Sequence, residues 1–108
     1  MPRIATRFSG PGQITNAAVT KYTVPASQLA IIRHIHVYNP SAANVTFTMS
    51  IGADAAGTRL FDAFSIGPGQ SFDHFCYYVV SAAEIIQAYA GTTNTLVLTI
   101  DGDLSVLG

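Results

Sequence analysis

The segment Asn44-Val45-Thr46-Phe47-Thr48-Met49-Ser50-Ile51 alternates between polar and apolar side chains at every residue. Successive side chains of a β-strand point to opposite faces, so this period predicts a strand with one apolar face and one face of Asn, Thr and Ser. Thr95–Asp101 repeats the pattern, with leucine and isoleucine on the inward face. Both segments are typical of sheets that bury one face.

Further strands are predicted between clusters of glycine, proline, asparagine and serine, which are typical of turns. These strands are Val19–Val24, Leu29–Tyr38, Arg59–Ile66, Ser71–Val80 and Glu84–Ala90, with a short last strand at Leu104–Leu107 beyond a possible turn at Asp101-Gly102-Asp103. Seven or eight short strands without a convincing helix predict an all-β fold. The expected architecture is a single-domain antiparallel β-sandwich, jelly-roll-like.

The segment Leu29–Tyr38 differs from the others because it is apolar on both sides. The residues expected on one face are Ile31, Ile35 and Val37, and those expected on the other are Ile32 and Tyr38. A strand of this kind is covered on both faces, by a second sheet or by a neighbouring subunit.

Residues 1–17 are rich in turn-forming residues and contain a Gly-Pro-Gly segment that interrupts any regular strand. We therefore expect residues 1–17 to form an extended N-terminal arm and residues 18–108 to form the sandwich. Ile4, Phe8 and Ile14 are apolar anchors by which the arm would lie across a neighbouring subunit. A frayed terminus is the alternative.

Charged residues are scarce: five are basic and six acidic, 10% of the 108 residues, against about 25% in an ordinary soluble domain. Charges are depleted from the cores of protein interfaces, so this composition favours a self-associating subunit, which we expect to be a trimer. The chain has no basic patch for a nucleic acid and no apolar run of about 18 residues for a membrane span, so neither partner is expected.

Cys76 is the single cysteine, which excludes an intrachain disulfide and a zinc site built from cysteines. Its neighbours Phe75, Tyr77 and Tyr78 are bulky, so a small buried hydrophobic role is expected rather than that of a nucleophile. The N-terminal residues carry no apolar signal core, and secretion by a cleaved signal is not expected.

His34 and His36 form a His-x-His pair, and alternate residues of a strand can bring two imidazoles to one metal ion. A cupin-like metalloenzyme would also need a nearby glutamate and a later histidine; His74 is available, but the only glutamate, Glu84, is distant in sequence. We therefore expect packed or interface histidines, with a pH-sensitive contact as an alternative, and no metal or other cofactor.

Two further patterns have both a structural and a binding interpretation. Asp101-Gly102-Asp103 resembles part of a calcium loop, but a turn is favoured because the spacing alone supplies too few oxygen ligands. The aromatic residues Phe72, Phe75, Tyr77 and Tyr78 could form a platform for a sugar. Alternation places Phe75 and Tyr77 on one face and Phe72 and Tyr78 on the other, which favours a core and an interface.

Three motifs resemble a group of small β-sandwich proteins encoded by tailed bacteriophages. They are Tyr22-Thr23-Val24-Pro25, the strand from Ile35 to Asn39 followed by Ser41, and Ile86-Gln87-Ala88-Tyr89-Ala90. The resemblance spans roughly residues 20–101, although Ala83 stands before Glu84 where members of that group usually have glycine before the acidic residue. It implies a virion structural protein, such as a capsid decoration protein or a tail or neck component, and supplies no catalytic residues.

The sequence therefore predicts a non-enzymatic structural protein of a bacteriophage virion, made in the cytoplasm of the bacterial host. The preferred role is a capsid decoration subunit that self-associates and docks on the major capsid or tail proteins. The alternative is a tail or neck component that acts as a carbohydrate- or receptor-binding module. The expected interface residues are Ile4, Phe8, Ile14, Ile32, His34, His36 and Tyr38.

Overall fold

The computed structural model describes residues 3–106, which form eight β-strands and no helix. No helix long and apolar enough to cross a membrane is therefore found in this part of the chain. The strands are β1 (Arg3–Gln13), β2 (Val19–Thr23), β3 (Gln28–Tyr38), β4 (Val45–Ile51), β5 (Arg59–Ile66), β6 (Ser71–Val80), β7 (Ile85–Ala90) and β8 (Val97–Val106).

The strands form two four-stranded antiparallel sheets with the orders β1-β8-β3-β6 and β2-β7-β4-β5. This exchange of strands between two packed sheets is the topology of an eight-stranded jelly roll. The predicted all-β sandwich of jelly-roll type is confirmed. β1 and β6 are the edges of the first sheet, and β2 and β5 are the edges of the second.

The core lies between the sheets and follows from the alternation in the sequence. Val45, Phe47 and Met49 of β4 are buried in it, opposite Leu98 and Ile100 of β8. Thr48 and Ser50, on the outer face of β4, are also buried rather than solvated. Burial is tolerated because the Thr48 hydroxyl accepts a bond from the Ala63 amide and the Ser50 hydroxyl donates to the Gly52 carbonyl.

The assignment of faces in β3 is partly wrong. Against β8, Arg33 is an extra residue between the pairs Ile32–Gly102 and His34–Asp101, so it occupies a β-bulge. Against β6 the register also shifts between Ile32 and His34, but there the extra residue lies on β6. An extra residue reverses the alternation, and Ala30 and Ile32 therefore join Ile35 and Val37 in the core. Ile31 lies outside that core cluster, although it too is buried.

The expected N-terminal arm is also wrong within the described residues, because residues 3–13 form β1 and pair with β8 of the same chain. The turn-forming residues are accommodated by register shifts between Arg7 and Gly12 on an edge strand. Phe8 is 4% exposed and packs on Tyr22, with ring centroids 4.8 Å apart. The part of the predicted arm at residues 1–2 lies outside the described residues.

β8 runs through Asp101-Gly102-Asp103 without turning, so the expected turn and the separate strand after it are wrong. Leu107, the end of that predicted strand, lies outside the described residues. Glycine is required at residue 102 because a Cβ there would collide with the Ile31 carbonyl oxygen. The close approach of Gly102 to the Ile31 backbone lets β8 continue beside the bulge in β3. Asp101 and Asp103, on either side of this glycine, then lie on the outer face of the sheet.

Candidate functional site

The candidate site lies on the outer face of the β1-β8-β3-β6 sheet, where the bulge in β3 turns two histidines outward. His34 pairs with Phe75 of β6 and Asp101 of β8, and His36 pairs with Asp73 of β6. Residues paired across antiparallel strands lie on the same face, so these five side chains share one surface.

Asp73 joins the two histidines. His34 Nε2 lies 2.8 Å and His36 Nδ1 lies 2.6 Å from the same oxygen, Asp73 Oδ1. The pKa of Asp73 is lowered because His36 and then His34 hydrogen-bond to its carboxylate. Asp101 approaches the other side of the His34 ring, with Oδ2 3.9 Å from Nδ1. The face therefore carries an anionic oxygen between two imidazoles.

An apolar stripe borders this polar cluster on the edge strand β6. Phe75, Tyr77 and Val79 are 77%, 57% and 49% exposed. The Phe75 ring stacks on the His34 imidazole at a centroid distance of 4.4 Å, and the Arg33 guanidinium lies 5.7 Å from the centre of the Tyr77 ring. Large apolar side chains exposed side by side on one strand mark a surface suited to association.

A shallow depression of about 660 Å³ lies between the bulge and this stripe, lined by Arg33, His34, Phe75, Cys76, Asp101, Gly102 and Asp103. Its charges are balanced within the chain. Arg33 forms an ion pair with Asp103 at 3.2 Å, and Arg7 lies 3.8 Å from Asp101. The depression thus combines an exposed aromatic ring with paired polar groups.

His74 does not belong to the histidine pair, because it lies on the inner face of β6. Its Nε2 is 3.0 Å from the Tyr78 hydroxyl, and its ring packs edge-on against Phe61. Cys76 is half-buried beside the Ile32 carbonyl, and burial raises the pKa of its thiol. A raised pKa keeps the thiol protonated, which disfavours a nucleophilic role.

Of the seven predicted interface residues, three lie in the core instead. Phe8, Ile14 and Ile32 are buried by the strand β1, the loop after it and the bulge in β3. The other four are Ile4, His34, His36 and Tyr38, and they remain accessible in whole or in part. The structure adds Asp73 and Val79, which the sequence analysis did not single out; both follow from extending the alternation of Phe75 and Tyr77 along β6.

Comparisons with known proteins identify no family for this chain. No protein-family model matches it, and no curated protein matches it. A structural similarity is found to a chain described as "Structure of infectious bursal disease virus Gt strain", with 9% sequence identity and a TM-score of 0.37. The similarity covers 95% of this chain but 29% of that chain. A TM-score this low carries no argument about function.

Proposed function

We propose that this chain is a non-enzymatic structural subunit of a bacteriophage particle, a capsid decoration protein that associates with further copies of itself. The observation that carries the proposal is the stripe of Phe75, Tyr77 and Val79, three large apolar side chains that lie exposed together on one face of β6. The motifs shared with small phage β-sandwich proteins support the virion assignment, and the self-association rests on the surface described here.

The edge position of the stripe favours a protein partner. β6 pairs with β3 on one side only, so the backbone groups on its other side are open to a further strand or loop. Edge strands are commonly protected by lysine or proline, and β6 contains neither. Its one formally charged residue, Asp73, is already engaged by His34 and His36.

The distribution of charge lowers the free-energy cost of burying this surface against another subunit. On this sheet, Arg7 and Arg33 form ion pairs with Asp101 and Asp103 of the same chain. Paired charges near an interface need not find new partners in the neighbouring subunit, and the stripe itself carries no charge. The low charge content and the internal pairing therefore both favour burial of the outer sheet face.

The surface area that each subunit must bury in a stable interface is a small part of its total surface. A standard interface buries about 800 Å² on each partner, which is roughly one seventh of the 5361 Å² accessible surface of this chain. If the stripe contacts a different surface of the next copy, the contact is heterologous, and it closes into the expected trimer when each copy is rotated by one third of a turn. Repetition on a capsid would then multiply individually weak contacts.

One observation favours a second candidate, a carbohydrate- or receptor-binding module of a tail or neck. Phe75 and Tyr77 lie exposed beside a depression that also holds Arg33, Asp101 and Asp103. Aromatic faces next to carboxylates and a guanidinium can stack on a sugar ring and bind its hydroxyl groups. In this candidate the stripe contacts a glycan rather than another subunit.

Quantitative mass spectrometry of purified particles of the phage that encodes the chain tests the virion assignment. The proposal predicts a particle-bound protein in hundreds of copies, whereas a handful of copies indicates a neck or tail position. Absence from purified particles, with the protein present in the infected cell, contradicts the proposal. Binding of the isolated chain to a glycan array, lost in Phe75→Ser and Tyr77→Ser variants, would instead support the second candidate.

A further inference from the structure

We propose that His34, His36 and Asp73 bind one divalent first-row transition metal ion, for which zinc is the test ion, on the outer face of the sheet. The inference does not depend on the proposed virion role. It replaces the sequence-based expectation of no metal, because the pairing of β3 with β6 brings to the histidine pair a carboxylate that lies more than thirty residues away in the chain.

The three donor atoms converge on one point. His34 Nε2 and His36 Nδ1 both face Asp73 Oδ1, and all three atoms lie within 4.8 Å of one another. A tetrahedral zinc ion with ligands at about 2.0–2.2 Å separates them by roughly 3.3 Å. The present separations from Asp73 are 2.8 and 2.6 Å, so binding requires the groups to move apart by about half an ångström.

The His34 ring is held in the orientation that coordination requires. Phe75 stacks against it with an angle of 4° between the ring planes, which restricts rotation of the imidazole. The Asp101 carboxylate faces Nδ1 from 3.9 Å, on the side away from Asp73. Without a metal, Nε2 donates its proton to Asp73, and that proton must leave when the metal binds. The Asp101 carboxylate then favours the tautomer with the proton on Nδ1, so Asp101 is a positioning residue.

The chemistry of the donors selects the class of ion. Two imidazoles and one carboxylate suit zinc, copper, nickel or iron, whereas calcium and magnesium prefer sites made of oxygen. Three protein ligands leave at least one coordination position open. The three residues are half-buried or exposed, so this position is available to water or to a side chain of a second protein.

Isothermal titration calorimetry of the full chain, freed of metal by a chelator, tests the site with zinc chloride. We expect saturable binding of one ion per chain, and no binding of magnesium. His36→Gln and Asp73→Asn are expected to abolish stoichiometric binding, and Asp101→Asn to weaken it by about tenfold. His74→Gln, the histidine of the inner face, and Asp62→Asn, an exposed carboxylate of the other sheet, serve as matched controls that bind as the unmodified chain does.

Histidine side-chain nitrogen NMR of the unmodified protein gives a result that does not depend on the folding of any variant. Addition of zinc should shift the Nε2 signal of His34 and the Nδ1 signal of His36 and leave His74 unchanged. Absence of saturable zinc binding, or zinc-induced shifts confined to His74, would overturn the proposal. In that case His34, His36 and Asp73 form a hydrogen-bonded cluster only.

Discussion

The Phe75 ring lies parallel to the His34 imidazole, with the ring centroids 4.4 Å apart and 4° between their planes. The two residues are cross-strand partners of β3 and β6, at the point where the register between these strands shifts. Phe75 is nevertheless 77% exposed, so the stack covers one face of the phenyl ring and leaves the other to solvent. The stacked face of the Phe75 ring therefore contributes to the fold, and the exposed face is available to a partner.

Phe75→Ala should lower the free energy of unfolding of the subunit only modestly, by about 0.5–1.5 kcal/mol, since the stack is its main contact. Urea denaturation at a protein concentration low enough to keep the subunit monomeric measures this change. Val79→Ala, which removes an exposed side chain of the same strand without a ring stack, is the control. A loss of several kcal/mol in Phe75→Ala would show that the residue belongs to the core.

Phe8→Ala should destabilise the subunit by about 3–5 kcal/mol, because it removes a buried ring and leaves a cavity. Ile4→Ala, in the same strand but 59% exposed, is expected to change stability by less than about 0.5 kcal/mol. Urea denaturation of both variants compares them directly. Equal, small effects would support the extended arm that the sequence predicts for this segment rather than an integral strand β1.

Gly102→Ala should destabilise the fold, by about 1–3 kcal/mol or more, since the added methyl group meets the Ile31 backbone rather than a flexible side chain. Thermal unfolding monitored by circular dichroism measures the loss. Gly57→Ala is the matched control, because open space surrounds the position that its Cβ would occupy. Equal melting temperatures for the two variants would contradict the close approach of β8 to β3.

Asp54→Asn should destabilise the subunit at neutral pH and have less effect in acid. Asp54 accepts bonds from Arg59 at 2.9 and 3.2 Å, and these lower the pKa of its carboxyl in the folded state. Stability from a lowered carboxyl pKa is present above the unfolded-state pKa of about 3.9 and is lost as the pH falls through the lower folded-state value. Urea denaturation of both proteins at several pH values should show their stabilities converging below about pH 4; a difference independent of pH would contradict this.

The sequence predicts some elements with the bounds that the structure shows. The predicted strands Arg59–Ile66 and Ser71–Val80 coincide with β5 and β6, because both lie between strong turn signals. β1 was missed because an edge strand tolerates glycine and proline through register shifts, whereas a central strand does not. The prediction for β1 therefore failed because the position of a strand at the edge of a sheet is not visible in its local sequence.

The candidate site was only half predictable. His34 and His36 are two residues apart on one strand, so the sequence alone shows that they share a face. Which face they occupy depends on the bulge at Arg33, and no residue pattern predicts that bulge. Asp73 joins them through the register of β3 against β6, and register is a property of the folded sheet. Phe75 and Tyr77 were placed correctly on one face, and their exposure follows from the position of β6 at the edge.

Sedimentation velocity of the unmodified chain and of the double variant Phe75→Ser, Tyr77→Ser tests self-association most directly. The unmodified chain is expected to sediment as an oligomer at micromolar concentration, and the double variant as a folded monomer. Val19→Ser, which removes an exposed apolar side chain of the other sheet, should leave the oligomer intact. A well-folded monomer of the unmodified chain at about 100 µM, or an oligomer that persists in the double variant, would contradict association through β6.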